Sequence, residues 1–143
     1  MTPNVLQKLT IALSGLIAFG IGAAIMIAPS DFYALSAVTL PNDVNLLNDM
    51  RAFGGGLVAV AVFIGLGLFR SSLTFASLVA AAIIFAGYGF ARIWAISVDG
   101  FPDATYIWVL GIELFVAAAA ASLALKMSAP KSSAKGIRAD QRK

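Results

Sequence analysis

Four ionisable side chains stand inside otherwise apolar runs of this 143-residue chain: Asp49, Arg51, Arg92 and Glu113. Two kinds of chemistry are open to them. A carboxylate held among apolar groups serves as counter-charge, proton carrier or general base. An arginine presents a fork of donors to a carboxylate, a phosphate or a lipid headgroup. Asp49 and Arg51 lie two residues apart, a spacing at which helical side chains do not face each other. Each therefore needs a partner on another segment. Polar residues able to complete a network with them are Asn48, Tyr88, Ser97, Asp99, Thr105 and Tyr106.

Composition narrows the chemistry further. The chain has no cysteine and no histidine. Disulfides, thiolate nucleophiles, ordinary zinc sites and histidine-based acid–base catalysis are excluded. No cofactor motif and no metal-ligand cluster is present, so the expectation is no cofactor, no metal and no catalytic residue set. The chain is 60% hydrophobic and only 12% charged, with a mean hydropathy of +0.91. Soluble domains usually carry about 25% charged residues. The deficit points to a membrane protein.

The positioning elements follow from the apolar runs, because a spanning helix needs roughly 20 such residues. Four segments qualify, at about 9–28, 45–69, 73–97 and 104–125. Pro29-Ser30-Asp31 stops the first, Arg70-Ser71-Ser72 the second, Asp99-Gly100-Phe101-Pro102 the third and Lys126 the fourth. The first run exceeds the usual apolar core of a leader peptide and reads as a retained helix. The expected architecture is an all-α integral membrane four-helix bundle over residues 1–127, followed by a basic flexible tail over 128–143. The first long loop, "DFYALSAVTLPNDVN", carries Phe32 and Tyr33 and has room for a short helix lying flat at the interface.

Lys and Arg set the orientation. Lys8, Arg70 and the stretch 126–143, where six of the ten basic residues lie, mark one side. Asp31, Asp43, Asp99 and Asp103 mark the other, with no Lys or Arg among them. Both termini are expected in the cytoplasm and the acidic loops outside, in the inner (cytoplasmic) membrane. The basic tail suits anionic lipid rather than nucleic acid.

Every span also carries small residues that allow close helix approach, as lipid removes the hydrophobic drive for association. Span one has Ser14, Ala18 and Gly22; span two has the run Gly54-Gly55-Gly56. The triple glycine reads as helix packing, since a phosphate loop needs a preceding strand and a following lysine.

Depth places the charges together. At 1.5 Å rise per residue, Arg51 lies roughly 9 Å, Arg92 roughly 10 Å and Glu113 roughly 14 Å below the outer boundary. If the three helices face one interior, Arg51 and Arg92 bracket Glu113, with Asp49 shallower and the formal charge summing to zero.

The segments "NDMRAFGGG", "ARIWAISVDGFPD" and "GIELFVAAAAA", taken in order, resemble the signatures of a small bacterial four-helix membrane family known only as domain of unknown function 4345. The resemblance runs over about residues 5–127. It implies the four-helix architecture and draws attention to Asp49, Arg51, Gly54, Gly55, Arg92, Asp99, Gly100, Pro102 and Glu113. Asp49 departs from the pattern, which usually has Glu there. The family implies no mechanism.

Three functions are compatible with these residues. The first is a structural or accessory membrane protein whose charge network fixes helix register and whose small-residue faces dock to a larger complex or a second copy. The alternative is an outward-facing protein that binds or transports a small anion or lipid headgroup through Arg51, Arg92 and Glu113. An enzyme using Glu113 or Asp49 as base comes last, since no nucleophile pair accompanies them.

Overall fold

A computed structural model describes residues 3–129 of the chain. The described residues form five α-helices: α1 (Val5–Ile27), α2 (Pro29–Ala34), α3 (Val44–Phe69), α4 (Thr74–Asp99) and α5 (Ala104–Ser128). Four of them, all but the six-residue α2, are long and apolar enough to cross a membrane. The expected tail lies, from residue 130 onward, outside the described residues.

The helix ends follow from local chemistry. Asn4 and Gln7 form a reciprocal capping box, each side chain accepting from the other's backbone N–H at 2.9 and 2.8 Å. The ladder then runs to Ile27, where Pro29 forbids continuation. That proline opens α2, the short helix for which the loop had room. Asp43 caps α3 by accepting from Asn45 and Leu46, and Asp103 caps α5 by accepting from Thr105 at 3.4 Å. Two of the four acidic loop residues thus start helices. Gly100 ends α4 at φ +95, a conformation that side chains beyond glycine rarely adopt.

The helices pair in two tight couples, α1 with α3 and α4 with α5, joined by α3 against α4; α1 also touches α4 and α5. Among the described residues the backbones of α3 and α5 do not approach closely. One end of the bundle carries the α3–α4 turn and the N-terminus. The other, the loop end, carries α2 and the α4–α5 loop.

Close backbone approach makes the first couple. A Cβ added at Gly22 would stand 2.8 Å from the Gly54 oxygen, and one at Gly54 would stand 2.6 Å from the Met26 nitrogen. The helices therefore cross where neither has a side chain. Of the triple glycine only Gly54 is required for this, because a Cβ on Gly56 meets nothing within 4 Å. Between α3 and α4, Thr74 donates to the Gly67 carbonyl at 3.4 Å and Ser77 to the Phe63 carbonyl at 3.3 Å.

Two layers fill the interior. Ile11, Ile64, Leu78, Ala120 and Leu123 pack near the termini; Ala18, Leu57, Ala61, Phe85 and Val116 pack above them. Large side chains are turned outward on every long helix, with Leu16 71% and Phe115 70% exposed. Small residues inside and large apolar ones outside suit a lipid surround.

Candidate functional site

The interior stops being filled above the second layer. Toward the loop end the long helices enclose a cavity of about 360 Å³. Ala18, Leu57 and Phe85 of the core form its floor, and Ile21, Ile84, Val109 and Ile112 extend its apolar wall. Phe32, Tyr33 and Ser36, on and just after α2, border it at the loop end. Phe53 and Tyr88 meet edge to face in its lining, centroids 6.0 Å apart.

Into this apolar wall the fold sets one ion pair. Arg92 of α4 donates from Nε to Oε2 of Glu113 on α5 at 2.8 Å. Glu113 is 6% exposed, whereas Arg92 is half-buried. Tyr106 stands seven residues before Glu113, two turns along the same face of α5. Its ring lies 5.5 Å from the guanidinium carbon, a cation–π distance. Gly89, one turn before Arg92, faces α5: a Cβ there would stand 2.7 Å from Leu114 Cδ2. The Leu114 side chain of α5 packs into the space left there.

Arg92 also lines a second hollow of about 330 Å³, bounded by Ile96, Asp99, Gly100, Phe101, Pro102 and Tyr106. Arg92 and Tyr106 thus stand between the cavity within the bundle and one under the α4–α5 loop.

The structure unites only part of the set expected from depth. Arg92, Glu113, Tyr88, Tyr106 and Thr105 come together around the cavity. Arg51 does not bracket Glu113; it turns toward α1, where its Nη1 donates to the carbonyls of Met26 and Ile27 at 2.6 and 2.8 Å. The reason is local. The last carbonyls of α1 have no intrahelical partners and carry the negative end of the helix dipole. The Gly22–Gly54 crossing sets Arg51, one turn from Gly54, beside them. Asp49 and Asn48 are exposed, and neither pairs with another side chain among the described residues. Ser97 bonds back to the Trp94 carbonyl on its own helix at 2.6 Å. Gly55 touches only the Met26 sulfur, at 3.7 Å from an added Cβ.

Sequence reasoning missed the cavity and its apolar lining. Gly89 and the Phe32-Tyr33 pair were visible signals, the one as a small residue a turn from a charge, the other as aromatics after a span. No group of three or more potential metal ligands occurs among the described residues.

Compared with known proteins, residues 6–124 match one family model, described as Domain of unknown function (DUF4345). No curated protein and no solved structure matches the chain.

Proposed function

The chain belongs to this family of unknown function, and from that premise we propose that it is a small multi-pass membrane protein that holds a lipid-like molecule in the cavity among the long helices. The observation that carries this reading is the Arg92–Glu113 pair in the wall of an otherwise apolar cavity of about 360 Å³. Ligand sites have this character: mostly apolar, with a few convergent polar groups to orient the occupant. Ionisable residues among spanning helices are expensive, and where they occur they commonly mark a site. In the proposed orientation both termini are cytoplasmic and the cavity opens in the outer half of the membrane. Lys8, Arg70 and Lys126 at one end and the four loop aspartates at the other support it.

The anion-binding form of this reading loses its second arginine, since Arg51 is engaged on α1. A structural or accessory role is supported by one observation of its own: the ion pair joins α4 to α5, and such a pair would hold their register. The two roles separate on filling the cavity. Val109→Trp, in nanodiscs, leaves the pair intact and occupies the space beside it. A long-chain alcohol with a photoactivatable tail is expected to label the wild-type cavity saturably and the variant weakly, with both accumulating equally. Wild-type protein that shows no saturable labelling leaves only the structural role.

A further inference from the structure

Resting on that reading of the cavity, we propose that its occupant is an uncharged single-tailed amphiphile whose head both donates and accepts hydrogen bonds, as a hydroxyl does. Charge balance is the first argument. Arg92 and Glu113 are the charged residues lining the cavity, and at 2.8 Å they neutralise each other. An anionic head on Arg92 would stand beside the buried Glu113 carboxylate, and a cationic head on Glu113 beside the guanidinium. In so apolar a setting either repulsion is poorly screened.

Unused hydrogen-bonding capacity is the second. A guanidinium has five N–H donors, and Arg92 gives Glu113 only the one on Nε. Its Nη donors and the second Glu113 oxygen have no partner among the described residues, and no side-chain polar atom is both buried and unsatisfied. Arg92 and Glu113 both line the cavity, so donors and an acceptor stand side by side in its wall. A hydroxyl accepts from the one and donates to the other, adding no charge. The third argument is size: about 360 Å³ is near the lower end of small-molecule sites, roughly 300–1,000 Å³. The apolar floor of Ala18, Leu57 and Phe85 suits one tail.

The test uses the full-length protein in nanodiscs, labelled by hexadecanol with a diazirine in its tail. Unlabelled hexadecanol, hexadecyl sulfate and hexadecyltrimethylammonium then compete; they share a tail, and the two ions hold their charge at any pH. Hexadecanol is expected to compete at about a tenth, or less, of the concentration either ion needs. Either ion competing as well as the alcohol overturns the assignment of an uncharged head but leaves a tail-binding cavity. No saturable labelling at all overturns the lipid reading with it. Glu113→Gln leaves Arg92 unneutralised, so competition by hexadecyl sulfate should improve about tenfold. Arg92→Gln should do the same for the cation, and an unchanged ranking in both variants would sink the charge argument.

Discussion

Arg51 and Arg92 are the same side chain in similar apolar helices, yet they end on different acceptors. Arg92 finds a carboxylate on a neighbouring helix, and Arg51 finds two backbone carbonyls at the end of α1. Their removal should differ accordingly. Arg92→Ala strands Glu113, which is buried and has no other charged partner among the described residues; the cost should be about 1–3 kcal/mol. Arg51→Ala uncovers carbonyls at an exposed helix end, so its cost should be nearer the 0.3–1 kcal/mol typical of a dipole contact. Thermal unfolding in detergent checks the order. The exchanged pair Arg92→Glu with Glu113→Arg should recover a good part of the loss, because the neutral pair is rebuilt. Recovery by the exchange with Arg92→Ala as mild as Arg51→Ala would show that the pair contributes little to the fold.

Glycines decide the element scale, each through what it lets approach. Gly54 and Gly22 hold α1 against α3, and this contact delivers Arg51 to the α1 terminus. Gly89 instead faces the Leu114 side chain of α5, a contact that a leucine can relieve by moving. Gly56, two residues from Gly54, faces open space. Gly54→Ala must therefore push the helices apart against backbone atoms, at an overpacking cost of about 1–3 kcal/mol. Gly56→Ala should be neutral or gain up to about 1 kcal/mol of helix propensity. Equal effects of the two substitutions on thermal stability would contradict the crossing. The triple glycine was legible as a packing feature in the sequence. Which of the three makes the contact depends on the rotation of α3, which the sequence does not print.

At the scale of the whole molecule the cavity is lined from both couples, α1 and α3 on one hand and α4 and α5 on the other. The proposed orientation makes a prediction at this scale that the chain is well suited to test, since it has no native cysteine. A cysteine at Asp43 should react with an impermeant maleimide on intact cells. One at Ser72, in the α3–α4 turn, should react only after permeabilisation. The reverse pattern would invert the bundle and place the cavity in the other half of the membrane.

Runs of apolar residues broken by Pro29-Ser30-Asp31, Arg70-Ser71-Ser72 and Asp99-Gly100-Phe101-Pro102 were enough to locate four long helices and their connections. Backbone groups in an apolar surround must bond within their own segment, so length and hydropathy suffice there. Depth along each helix was equally legible, because rise per residue is constant. It brought Arg92 and Glu113 to one level, where they pair. It also brought Arg51 there, where it does not. Depth is a coordinate along the axis, whereas pairing depends on rotation about it and on which helices touch. For α1 and α3 those are decided where Gly22 meets Gly54. The cavity is a place where side chains from four helices fail to meet, and no single segment carries the mark of that. Only the tertiary structure could supply it.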